Sequence, residues 1–220
     1  MSNPVARPAP PFVEVFADVA CPFTHVGLCR LIEARAAASR LDVGLWVRAW
    51  PLELVNGEAL DPTFVAEEVD ELRDQVAPDL FAGFRADRFP RTSLPAFVLA
   101  GDAYAVSAER GEAASLALRH ALFEEGRDVA DPAVLAELAS ELGLPTAAER
   151  AEADRHGDDH PGPLADLAEG RERGVIGSPH FFTPVGDFFC PSLDIARVDG
   201  RLRIVADVEA FESFAAACFP

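Results

Sequence analysis

A short strand pattern that runs straight into a cysteine–proline helix start constrains this chain more than any other feature. In residues 12–27, FVEVFADVACPFTHVG, the β-branched and aromatic run Phe12, Val13, Val15, Phe16 predicts a strand. Residues 18–22 end it, and the apolar spacing of Val26, Leu28 and Ile32 predicts a helix from about residue 23 to 39. Cys21 is thereby set at a helix N-terminus, where unpaired N–H groups and the macrodipole favour an anion. A thiolate is the nucleophilic form of cysteine, so this position is expected to lower the pKa of Cys21 and leave one face of its sulfur open. Pro22 suits the first helical turn, because it presets φ and removes no needed donor.

The rest of the pattern builds a β-α-β start followed by helices. Residues 42–50, DVGLWVRAW, alternate well enough to be the second strand, with Trp46 and Trp50 on one core-facing side. Val65, Val69, Leu72 and Val76 fall on one helical face, and Ser107 caps a helix running to about residue 125. Asp131-Pro132 opens another helix, with Leu135, Leu138 and Leu142 inward and Gly143 as its stop. Thr146 to Glu149 fits a capping box, and residues 157–163 break the pattern before a last helix leads into Gly174. Residues 181–184 and 187–190 flank Val185-Gly186 as a hairpin, Asp199-Gly200 predicts a second, and Phe211, Phe214, Ala215 and Cys218 mark an amphipathic closing helix.

The net charge of −18, of which residues 58–165 carry −14, argues against nucleic acid as a partner. All 19 basic residues are arginine, which removes lysine as a Schiff-base candidate. Residues 1–11 read as a flexible Pro- and Ala-rich tail rather than a leader or anchor, and no apolar run nears the roughly 20 residues that span a bilayer. A cytoplasmic protein off the membrane is expected. Cys21, Cys29, Cys190 and Cys218 form neither a C-x-x-C pair nor a zinc pattern, and read as reduced thiols. His156, Asp158, Asp159 and His160 in RHGDDHPG lack regular ligand spacing, so no metal site is assigned.

Asp18-Val19-Ala20-Cys21-Pro22-Phe23-Thr24 resembles the D-x-x-C-P-x-C opening of the DsbA-like branch of the thioredoxin superfamily, and residues 174–182, GVIGSPHFF, resemble that family's G-V-x-G-V-P-T-F segment. The resemblance runs from about residue 12 to 219. The branch also holds FrnE-like dithiol oxidoreductases, kappa-class glutathione transferases and 2-hydroxychromene-2-carboxylate isomerases. It implies an α/β thioredoxin fold with an all-helical insertion: residues 12–57 and 164–220 as the thioredoxin-like domain, and 58–163 as the insertion covering the Cys21 end of the sheet. It also implies a cis bond before Pro179, with that proline beside the nucleophile and Ser178 offering backbone groups to a thiol substrate. Thr24 stands where redox members carry their second cysteine.

Further site residues follow from these two segments. The Thr24 hydroxyl, one turn after Cys21, is placed to support a thiolate or is simply a polar residue of the first turn. His25 is either a cation that lowers the Cys21 pKa or a surface histidine. Pro22 and Phe23 line the substrate side. Cys29 and Cys218 sit in apolar helical patterns and read as core. Cys190 is brought back toward Pro179 by its hairpin, where it lines the same groove, resolves a mixed disulfide or packs in place of a tryptophan. Residues 186–192 resemble the G-x-x-F-W-G-x-D-R segment of the isomerase and kappa branches, which makes Ser192 a thiol-binding candidate.

The expected activity is thiol–disulfide chemistry through a single nucleophilic cysteine and a mixed disulfide, since a C-x-x-C cycle is absent. Two alternatives stand: an isomerase or transferase of the 2-hydroxychromene-2-carboxylate isomerase or kappa type that uses a bound thiol, and a non-catalytic interaction module. No covalent cofactor is implied. The implied partner is a low-molecular-weight thiol such as glutathione, or a thiol-bearing substrate. The oligomeric state is not legible.

Overall fold

The computed structural model describes residues 11–144 and 161–220. The tail expected at the N-terminus, the capping box at 146–149 and the histidines of 156–160 lie outside the described residues, apart from residue 11 of the tail.

Strand β1 (Phe12–Ala17) leads through a short turn into helix α1 (Pro22–Ala37), and β2 (Gly44–Ala49) returns parallel to β1. Hairpin strands β3 (His180–Thr183) and β4 (Gly186–Phe189) complete a four-stranded sheet in the order β2-β1-β3-β4, with β3 antiparallel to β1 and to β4. Between β2 and β3 come α2 (Leu52–Asn56), α3 (Pro62–Gln75), a 3-10 turn at Ala86–Arg88, α4 (Leu94–Val106), α5 (Ala108–Phe123), α6 (Pro132–Glu141) and α7 (Pro161–Glu172). The chain closes with β5 (Leu193–Val198), β6 (Arg201–Ala206) and α8 (Val208–Cys218). This is a thioredoxin fold carrying a helical insertion, as the resemblance implies.

Local chemistry accounts for the helix starts. Asp61 and Asp131 each accept the N–H two residues on, and Ser107 accepts that of Arg110, supplying acceptors to donors that a helix leaves free. Helix α7 starts at Pro161, inside the stretch expected to break the pattern, because proline is tolerated in a first turn. It therefore runs across residue 163, where the sequence suggested a boundary.

Alternation along β1 sorts its side chains between two layers. Val13, Val15 and Ala17 meet Leu28 and Leu31 of α1, Phe181, and Phe214 and Cys218 of α8 on one face. Phe16 meets Trp50 and Leu167 of α7 on the other. Glu14 also lies on that second face, where Arg48 donates to it (3.1 Å), to Asp166 (2.5 Å) and to Glu169 (2.7 Å), tying α7 to the sheet.

Strand β2 is an edge, and its outward N–H groups need partners once helices cover them. Leu45 N–H donates to Glu112 (2.7 Å), Val47 N–H to the Tyr104 hydroxyl (2.9 Å) and Ala49 N–H to Asp166 (2.9 Å). The Tyr104 hydroxyl in turn donates to Leu45 C=O (2.9 Å). The Tyr104 ring lies flat on Gly111, where a Cβ would stand 2.0 Å from its ring carbons, so only glycine fits. Glu112 and Tyr104 of the insertion, with Asp166 of α7, thus stand in for the missing neighbour strand.

The hairpin at Asp199-Gly200 pairs only with itself, as a separate two-stranded sheet. It docks on α3: the Gln75 amide donates to Leu202 C=O (3.1 Å) and accepts from Ile204 N–H (2.9 Å), and Arg197 lies over the Phe64 ring (5.1 Å). One apolar cluster joins Ala20 and Val26, which flank Cys21, to Val65 and Val69 of α3 and to Cys190, Leu193 and Ile204 at the hairpin.

Candidate functional site

The turn from β1 to α1 is held by its own acid. Asp18 accepts from Ala20 N–H (2.8 Å), from Leu52 N–H (2.6 Å) and from the Ser93 hydroxyl (3.3 Å). Its burial raises the carboxyl pKa, and those hydrogen bonds oppose the rise without cancelling it. Cys21 is the N-cap of α1, with extended backbone and no side-chain cap bond, so its sulfur is free to face the loop before β3.

That loop presents a cis Ser178–Pro179 peptide. Cys21 Sγ donates to the Ser178 carbonyl oxygen at 3.3 Å. The Ser178 hydroxyl accepts from Asp18 N–H at 2.8 Å and meets Thr24 Oγ1 at 2.8 Å. Ser178 therefore clasps the nucleophile turn at both backbone and side chain. Across Gly27 of α1, an added Cβ would lie 3.6 Å from Pro179 Cγ and 3.8 Å from Ser192 Oγ, which places both residues against the helix one to two turns beyond Cys21. Cys190 N–H donates to Pro179 C=O (3.0 Å), so Cys190 stands opposite the cis-proline. All four cysteines are free.

Cys21, Thr24, Ser178, Pro179, Cys190 and Ser192 are thus brought together, while Pro22 is buried and Phe23 half-buried at the helix start. Cys21 is only 4 % exposed, and its pKa is raised rather than lowered. Burial is the largest cause and the Glu68 carboxylate adds to it; hydrogen bonds from the Thr24 hydroxyl and N–H and from the Ser178 side chain pull the other way and lose. His25 is neither on the surface nor directed at Cys21. It is buried, bonded to Glu124 (2.7 Å) and stacked on Phe123 (5.0 Å between centroids), because α1 turns it toward the insertion.

Burial raises the pKa of the other thiols as well. Cys190 is pushed up to about 12 by desolvation, with the nearby Cys21 charge adding to it, and Cys218 to about 12 by desolvation alone. Cys29 is half-buried rather than core, and is pushed up to about 11, mainly by burial.

Two charged groups beside the site went unread in the sequence. Glu68 shares the α3 face of Val65, Val69 and Leu72, and burial lifts its carboxyl to about 7 while Arg197 opposes the rise. A carboxylate at a stripe position was the available signal. Arg119 of α5 is fully buried and donates to Asp18 C=O (3.1 Å).

Among the described residues, no helix is long and apolar enough to cross a membrane, and no group of three or more His, Cys, Asp or Glu is placed to hold a metal ion. A search of curated proteins found no match. Among solved structures, the chain is similar to a probable DsbA oxidoreductase from Streptomyces coelicolor, with 26% identity, TM-score 0.60 and 77% of this chain and 79% of that chain covered. It is also similar to the cytosolic disulfide reductase DsbM from Pseudomonas aeruginosa, with 20% identity, TM-score 0.53 and 94% and 96% covered. A 2-hydroxychromene-2-carboxylate isomerase has 13% identity, TM-score 0.58 and 94% of both chains covered. The profile of the DSBA-like thioredoxin domain matches residues 12–203, and the chain belongs to that family.

Proposed function

We propose that the protein is a thiol–disulfide oxidoreductase that works through Cys21 alone. The observation that carries this reading is the pairing of Cys21 Sγ with the Ser178 carbonyl at the N-terminus of α1, beside the cis-proline. Membership of the DSBA-like family and the likeness to a probable DsbA oxidoreductase support it.

In the reaction, the Cys21 thiol loses its proton to solvent and the thiolate attacks one sulfur of a disulfide. The substrate S–S bond breaks, its other sulfur leaves as a thiolate, and Cys21 is held in a mixed disulfide. Thr24 cannot resolve that bond; a low-molecular-weight thiol attacks it, releases Cys21 as thiolate and carries away the new disulfide. Thr24 and Ser178 hydrogen-bond the charged sulfur. Pro22, Phe23, Pro179 and Ser192 shape the place where the thiol lies, and Cys190 packs behind the cis-proline. Glutathione is the proposed type of thiol, supported by a structure of DsbM with GSH. A reducing, cytoplasmic setting suits four free thiols.

The thiol-dependent isomerase or transferase is the second reading, favoured by Ser192 Oγ and Pro179 Cγ meeting at Gly27. Incubation with oxidised glutathione, followed by peptide mass spectrometry, tests the first. A glutathione adduct on Cys21, discharged by reduced glutathione and missing in Cys21→Ser, is expected. No adduct on Cys21 at any pH the fold survives would overturn the first reading and leave the thiol-dependent isomerase or transferase and the non-catalytic module.

A further inference from the structure

Arg119 is a cation in the wrong place for a structural residue. It is 1 % exposed, in the middle of α5, among Leu118, Ala121 and Leu122. A buried guanidinium is costly unless it is paired. Yet among the described residues it makes no ion pair within 4 Å: Nη1 donates to Ser115 C=O (2.8 Å), Nη2 to Asp18 C=O (3.1 Å), and Nε has no partner. The Asp18 carboxylate does not close on it, being engaged by Ala20 N–H, Leu52 N–H and the Ser93 hydroxyl. Among the described residues, the single long-range bond that Arg119 makes is to the turn that carries Cys21.

We propose that Arg119 is a positioning residue for Cys21, a buried counter-charge that fixes the Asp18–Cys21 turn from behind and stabilises the thiolate when the proton leaves. The inference rests on the reading of Cys21 as the nucleophile. The groups facing Arg119 are Asp18 in the turn, Tyr104 of α4, and Cys21 and Cys29 of α1, and the field of each favours its charged form although burial lowers its pKa to about 10. Those facing Cys21 are Thr24 of α1, Ser178 of the cis-proline loop, Glu68 of α3 and Cys190 after β4. Glu68 disfavours the thiolate. Arg119, which bonds the Asp18 carbonyl three residues before Cys21 and whose own charge the Cys21 thiolate favours, is the cation proposed to oppose it.

The test is a titration of thiolate absorbance near 240 nm, taking the difference between each protein and its Cys21→Ala counterpart. It needs no substrate and no turnover. Arg119→Met should move the Cys21 midpoint up by about one unit, roughly a tenfold loss of thiolate at a given pH. Arg119→Lys, which keeps the charge and loses the fork, should hold the midpoint while unfolding at lower denaturant. A folded Arg119→Met with the wild-type midpoint overturns the proposal, leaving a structural clamp. Should Arg119→Met fail to fold, a tenfold loss of thiolate in Arg119→Lys overturns it instead. The Cys21 role is judged separately by the glutathione adduct, so either idea fails without the other.

Discussion

A thiol that is 4 % exposed meets no disulfide until something moves, and release of the β5–β6 hairpin is expected to be that movement. The β5–β6 hairpin forms a sheet of its own; it is tied to α3 by the two Gln75 hydrogen bonds and by Arg197 over Phe64, and Leu193 and Ile204 join the apolar cluster. Gln75→Ala deletes both hydrogen bonds. A net bond is worth about 0.5–1.5 kcal/mol, and because these are near solvent the lower end applies, roughly 1 kcal/mol for the pair. With closing faster than modification, alkylation of Cys21 follows the open population, which rises about fivefold for that loss. The assay is iodoacetamide labelling of native protein, resolved by cysteine with peptide mass spectrometry. Cys218 is the internal control, since it is the last residue of α8 and lies in a separate apolar cluster. A fivefold gain at Cys21 with no gain at Cys218 is expected. Equal Cys21 rates in Gln75→Ala and wild type, or a parallel rise at Cys218, would refute the hairpin as the cover.

Other outcomes follow from the same contacts. Glu68 has a folded pKa near 7, above the ordinary 4.5, so the native state binds the extra proton and stability falls as pH rises from about 4.5 to 7; Glu68→Gln should flatten that slope and, after allowing for partial exposure, stabilise at pH 8 by on the order of 2 kcal/mol in urea titrations. The same variant should lower the Cys21 midpoint, because the Glu68 charge raises it. Tyr104→Phe leaves Val47 N–H and Leu45 C=O without their partner and should cost about 1–3 kcal/mol of unfolding free energy. His25→Phe keeps the stack on Phe123, loses the Glu124 bond at about 1.5–3 kcal/mol, and should leave the pH profile of Cys21 alkylation unchanged.

The elements that could be read from the sequence were those with a clean period and a chemical stop. The strand before Asp18, the Asp131-Pro132 helix start, the Asp199-Gly200 turn and the α8 stripe all stand where the residues place them. Helix α4, LPAFVLAGDAYAV, gave no separate signal because it is apolar on most sides, as a helix buried between others must be. The roles of Glu14, Arg48 and Asp166 were equally silent: partners 34 and 118 positions apart leave no local spacing to detect.

The candidate site shows the same division, and it explains why the charge state of Cys21 was misjudged. Helix-terminus position, Pro22 and Thr24 are local, and each favours a thiolate as the sequence suggests. Burial is a tertiary quantity, and it outweighs the local terms; Ala20 and Val26 on either side of Cys21 share one cluster with Val65 and Val69 of α3 and with Cys190, Leu193 and Ile204. Were the hairpin to swing away, it would carry off part of the desolvation while the helix terminus, Thr24 and Arg119 stayed on the β1–α1 side. An open hairpin should therefore expose the sulfur and lower its pKa in one movement, so that Cys21 is protected when idle and ionised when a substrate can reach it. Gln75→Ala should accordingly shift the alkylation profile of Cys21 to lower pH as well as raising its rate; a faster reaction at an unchanged midpoint would mean that the hairpin controls access alone.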